Sequence, residues 1–67
     1  MLNQRIYNKP NYSIPTRVSN ALRQAGIKRA TRNWADYEAG KRIIASMGLN
    51  VKDYSSAVEV VARWVGV

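Results

Sequence analysis

The chain has 67 residues, 11 Lys plus Arg against 4 Asp plus Glu, and neither His nor Cys, which gives a formal net charge of +7. A chain of this length forms one small domain that buries only about 60% of the surface it exposes when unfolded. Lack of Cys and His excludes disulfides, zinc–thiolate sites, thiol nucleophiles and imidazole bases, so no enzyme, metal site or cofactor is expected. With 46% hydrophobic residues and two Trp, the chain is too apolar for a disordered basic tail.

Residues 1–13, MLNQRIYNKPNYS, hold no apolar run long enough for a signal peptide. No stretch reaches the roughly 18 apolar residues of a membrane span. A cytoplasmic protein with no membrane partner is expected. Pro10 and Pro15 punctuate this end, so residues 1–13 read as a basic N-terminal arm or loop carrying Arg5 and Lys9. Residues 14–67 read as the folded domain.

The first helix is expected over residues 15–25. Ser13 or Ile14 would cap it, and Pro15 suits a first turn because its missing N–H has no helical partner there. Ile14, Val18, Ala21, Leu22 and Ala25 form one helical stripe. Gly26 should end the helix, and Ile27 should fold back over that end. Asn33 should cap the second helix, with Asp36 and Glu38 near the positive end of its dipole. Tyr37, Gly40, Ile44 and Met47 share its inner face, where Gly40 implies close approach of a neighbour. Gly48 should close it. Asp53 should cap the last helix, whose stripe is Tyr54, Ala57, Val58, Val61, Trp64 and Val65. The β-branched run AVEVVARWV also suits a strand. Alternation fails at Val60–Val61 and Trp64–Val65, however, so a helix is the better reading. The expected fold class is all-α, a small three-helix domain with an extended N-terminal arm.

The charge is one-sided. Residues 1–32 contain seven cations and no acid, whereas residues 33–67 contain four of each. Self-repulsion of this kind disfavours compaction and points to an anionic partner. Opposite the apolar stripe of the first helix stand Thr16, Arg17, Ser19, Asn20, Arg23 and Gln24. All can donate hydrogen bonds to phosphates or base edges. Lys28, Arg29 and Arg32 follow as phosphate clamps, which supply affinity without sequence information. Thr16, Arg17, Asn20, Arg23, Gln24, Lys28, Arg29 and Arg32 are therefore the candidate nucleic-acid-binding residues. Trp64 and Tyr54 read as core. Trp34, beside the basic cluster, is suited to stack a base or an Arg, with packing against the first helix the better reading.

The stretch IPTRVSNALRQAGI, residues 14–27, resembles the first DNA-facing helix in the C-terminal domain of the RNA polymerase alpha chain. In that family an Arg near the helix start and an Asn three residues later contact the DNA backbone, which implies that role for Arg17 and Asn20. Gly40-Lys41-Arg42 is similar to the family's downstream glycine-and-lysine hairpin, although the spacing is shorter here and the intervening helices are missing. RVSNAL is also similar to recognition helices of lac-type repressors.

These features lead to an expected DNA-binding regulator or accessory factor, a size that suits a virus, plasmid or bacterial genome. Double-stranded DNA is the favoured partner. The alternative is a modulator that docks its basic face on an acidic surface of a larger protein. A reader this small gains contacts as a homodimer, with the apolar C-terminal helix as the seam.

Overall fold

A computed structural model describes residues 10–67, with side chains from Ser13 onward. Of the expected arm, residues 1–13, residues 1–9 with Arg5 and Lys9 lie outside the described residues, and residues 10–13 belong to the first helix. Three helices follow in order: α1 (Pro10–Gln24), α2 (Trp34–Ala45) and α3 (Val51–Val65). The all-α, three-helix expectation holds, and AVEVVARWV is helical.

The start of α1 corrects the sequence reading. The helix begins at Pro10, so Ser13 and Ile14 are interior residues rather than caps, and Pro15 lies inside the helix. Pro10 takes the role expected of Pro15, because a proline at the first helical position sacrifices no intrahelical bond. Pro15 instead leaves the carbonyl four residues earlier without its usual donor. Gly26, at φ +82°, closes the other end. Its N–H donates to the Arg23 carbonyl at 3.1 Å and the Ile27 N–H to the Leu22 carbonyl at 3.0 Å. This paired pattern satisfies two terminal carbonyls and folds Ile27 into the core.

Asn33 caps α2 as expected, its side chain accepting from the Ala35 N–H at 2.8 Å. The cap of α3 is Asn50, not Asp53. Asn50 Oδ1 accepts from the Asp53 N–H at 2.8 Å, and Asp53 sits in the first turn, where its charge meets the helix dipole.

Ile14, Val18 and Leu22 of α1, Ile27, Ile44 of α2, and Ala57, Val61, Trp64 and Val65 of α3 form one core. α3 is the central element, packed on both α1 and α2, which touch each other less. Of its apolar stripe, Ala57, Val61, Trp64 and Val65 are buried within the single chain, while Tyr54 and Val58 are partly buried. Gly40 allows α2 to approach its neighbours closely. A Cβ there would lie 2.6 Å from Val61 Cγ1 and 3.3 Å from Leu22 Cδ2. Gly40, Lys41 and Arg42 lie in the middle of α2, so the likeness to a glycine-and-lysine hairpin does not extend to structure. Among the described residues no helix is long and apolar enough to cross a membrane.

Candidate nucleic-acid interface

The loop joining α1 to α2 lies across the C-terminal end of α3. A helix leaves its last four carbonyls without intrahelical donors. Here the Ala30 N–H donates to the Trp64 carbonyl and the Arg32 N–H to the Val65 carbonyl, both at 2.8 Å. To aim these N–H groups the loop places two non-glycine residues in the left-handed region, Ala30 at φ +60° and Arg32 at φ +56°. Each costs about 1–2 kcal/mol relative to ordinary backbone. Gly66, at φ +90°, lets the loop lie close. A Cβ at Gly66 would meet Arg32 Cγ at 3.3 Å and Ala30 Cα at 3.7 Å.

Trp64 fastens the same junction from inside. Its Nε1–H donates to the Ile27 carbonyl at 2.9 Å in a buried bond between residues 37 apart in sequence. The indole also carries two cations, with the Arg29 guanidinium 5.0 Å and the Arg23 guanidinium 5.5 Å from the ring centroid. Trp64 is thus core, as expected, and also the floor beneath two of the predicted contact residues. Each such contact contributes about 0.5–1 kcal/mol near an exposed surface, enough to orient a guanidinium without sequestering it.

The structure gathers some of the predicted residues and separates others. Thr16, Arg17, Asn20, Arg23, Gln24, Lys28, Arg29 and Arg32 are all exposed. Arg23 and Arg29 converge on Trp64. Asn20 joins them, because Arg23 Nη1 donates to its Oδ1 at 3.0 Å. With that oxygen engaged, the free groups of the exposed Asn20 amide are its N–H donors, which suit a phosphate better than the two-sided pairing an adenine requires. Arg32 is drawn to the α3 end by the loop. Arg17 and Gln24 stand on the other flank: successive helical residues advance by about 100°, so Arg17 lies roughly 200° around α1 from Ser19, which faces α3. Trp34 is 61% exposed, with its ring 4.7 Å from that of Tyr37; the expected packing against α1 is replaced by this local pair.

Sequence reasoning missed Arg63. Its neighbour Trp64 reads as core, and only the docking of the α1–α2 loop on the end of α3 brings Arg63 to the same cleft as Arg29. Both line it with Pro15, Ser19, Val60 and Trp64.

The cluster has a partial structural explanation, because Lys28, Arg29 and Arg32 lie near the C-terminal ends of both α1 and α3. Each helix end carries roughly −0.5 of a charge, so together they offset about one unit. Arg23, Lys28, Arg29, Arg32 and Arg63 bring five positive charges. None of them pairs with a carboxylate among the described residues, where the ion pair is Lys41–Glu38 at 3.6 Å. Most of the positive charge at this end is therefore uncompensated. Comparison with family models, curated proteins and solved structures gave no match. The likeness of residues 14–27 to a polymerase helix remains a local one.

Proposed function

We propose that this protein is a small nucleic-acid-binding regulator or accessory factor, with duplex DNA as its preferred ligand. The observation that carries the reading is the set of five exposed, carboxylate-free cations at the junction of α1, the following loop and the end of α3. A helix fits the roughly 12 Å width of a DNA major groove. The outer face of α1 offers Thr16, Asn20 and Arg23 beside the cluster, with Arg17 and Gln24 on its far flank, to such a groove, while Lys28, Arg29 and Arg32 grip phosphates beside it. No acidic side chain on α1 or the loop opposes that contact.

Anisotropy titration against random-sequence duplex DNA at two salt concentrations tests the reading. Micromolar affinity that falls steeply with salt is expected. Arg17→Ala and Asn20→Ala should each weaken binding while leaving the circular dichroism spectrum intact. Absence of binding at low salt would overturn the proposal.

A second reading, a modulator docking on an acidic protein surface, is favoured by Trp34. An exposed Trp beside a Tyr is the residue type that anchors protein interfaces. Trp34→Ala discriminates: it should leave duplex affinity unchanged if DNA is the ligand.

A further inference from the structure

The cleft between α1 and α3 has a volume of about 200 Å³ and is lined by Pro15, Ser19, Arg29, Val60, Arg63 and Trp64. Pockets for drug-sized ligands run to about 300–1,000 Å³, so this one is sized for a single small group. Its chemistry is divided. Arg29 comes from the loop, its guanidinium over the Trp64 ring, and Arg63 from the last turn of α3, so two arginines are among the lining residues, with Ser19 from α1. Pro15, Val60 and the indole supply apolar wall. Guanidinium forks with a hydroxyl match the oxygens of a phosphate, and the apolar wall matches the sugar attached to it.

The cleft is also held in shape. The Ile27–Trp64 bond, the two loop bonds to the end of α3 and the cation–π contact of Arg29 fix the loop wall against the α3 wall. One acidic residue lies near: Glu59 is one turn before Arg63 on α3, without an ion pair to it.

The geometry points to this cleft as the seat of one phosphate group, supplied by the backbone of the bound nucleic acid and held between Arg29 and Arg63. The inference rests on the nucleic-acid reading above and adds α3 to the contact surface. Arg63 is then a binding residue on an element that the polar face of α1 does not include, and contact there is independent of base sequence.

The test uses the full chain and random-sequence duplex DNA, with Arg29→Gln, Arg63→Gln and, as control, Lys52→Gln. Lys52→Gln removes the same charge from the same helix as Arg63→Gln, at its opposite end. Arg29→Gln and Arg63→Gln should each lower affinity about 3- to 10-fold and reduce the salt slope by about one. Lys52→Gln should change affinity by less than about 2-fold. Equal losses for Arg63→Gln and Lys52→Gln would overturn the cleft as a seat while leaving DNA binding itself intact. A second arm titrates inorganic phosphate at fixed ionic strength into Trp34→Phe, in which Trp64 is the sole indole. If the duplex does not bind but phosphate alters Trp64 fluorescence, and Arg63→Gln abolishes that change, the source is free phosphate and the backbone assignment fails. No response in either arm overturns both the seat and the nucleic-acid reading.

Discussion

Trp64 Nε1 donates to the carbonyl of Ile27 at 2.9 Å, tying the last turn of α3 to the residue that follows the closing glycine of α1. Trp64 is only 7% exposed, so the bond lies where water cannot replace it. Trp64→Phe keeps most of the ring volume and strands the Ile27 carbonyl. It should cost about 1–3 kcal/mol in urea denaturation, the penalty for an unsatisfied buried polar group. Trp64→Ala should cost about 3–5 kcal/mol. Equal stability of wild type and Trp64→Phe would mean that the bond contributes nothing net.

Gly40 should refuse a methyl group despite sitting in a helix. Alanine there gains about 1 kcal/mol of helix propensity. Its Cβ would fall 2.6 Å from Val61 Cγ1, and a stiff β-branched side chain cannot swing away. Overpacking of this kind costs about 1–3 kcal/mol, so Gly40→Ala should be destabilising. In a Val61→Ala background the 2.6 Å clash is gone and the flexible Leu22 side chain, at 3.3 Å, has only to give by a few tenths of an ångström, so the same substitution should become stabilising. The reversal of sign, read by thermal or urea melts, is the check.

Ala30 and Arg32 hold left-handed backbone that glycine adopts without strain. Relief of about 1–2 kcal/mol is offset in part by about 0.4–1 kcal/mol of added unfolded-state entropy. Ala30→Gly and Arg32→Gly should therefore be neutral to mildly stabilising. Only Arg32→Gly should lower duplex affinity, and with it the salt slope by about one. Lower affinity without loss of stability at Arg32 would assign its side chain to the ligand rather than to the fold.

The two candidate caps of α3 should separate by magnitude. Asn50→Ala removes the acceptor for the Asp53 N–H and should cost about 1 kcal/mol. Asp53→Ala loses a dipole interaction of about 0.3–1 kcal/mol. A larger loss at Asp53 than at Asn50 would reverse the assignment.

Local physics carried most of the fold into the sequence. The spacing of Ile14, Val18 and Leu22, and of Ala57, Val61, Trp64 and Val65, is a helical period that survives folding because those side chains must leave water together. Gly26 and Asn33 are equally legible, since each meets a requirement of the nearest helix end. Adjacent alternatives are harder. Pro10 and Pro15 both suit a first turn, as Asn50 and Asp53 both suit a cap, and local chemistry does not rank them.

The basic character of the N-terminal half, and the polar outer face of α1 with Arg17, Asn20 and Arg23, follow from sequence alone, because charge and helical phase are local properties. The site did not follow in the same way. Arg29 and Arg63 are 34 positions apart, and they line one cleft because the N–H groups of Ala30 and Arg32 satisfy the open carbonyls of α3. That long-range pairing depends on which helix end the loop reaches. Periodicity cannot encode it, so only the tertiary structure decided that Trp64 floors a cationic cleft and that Trp34 stays in solvent.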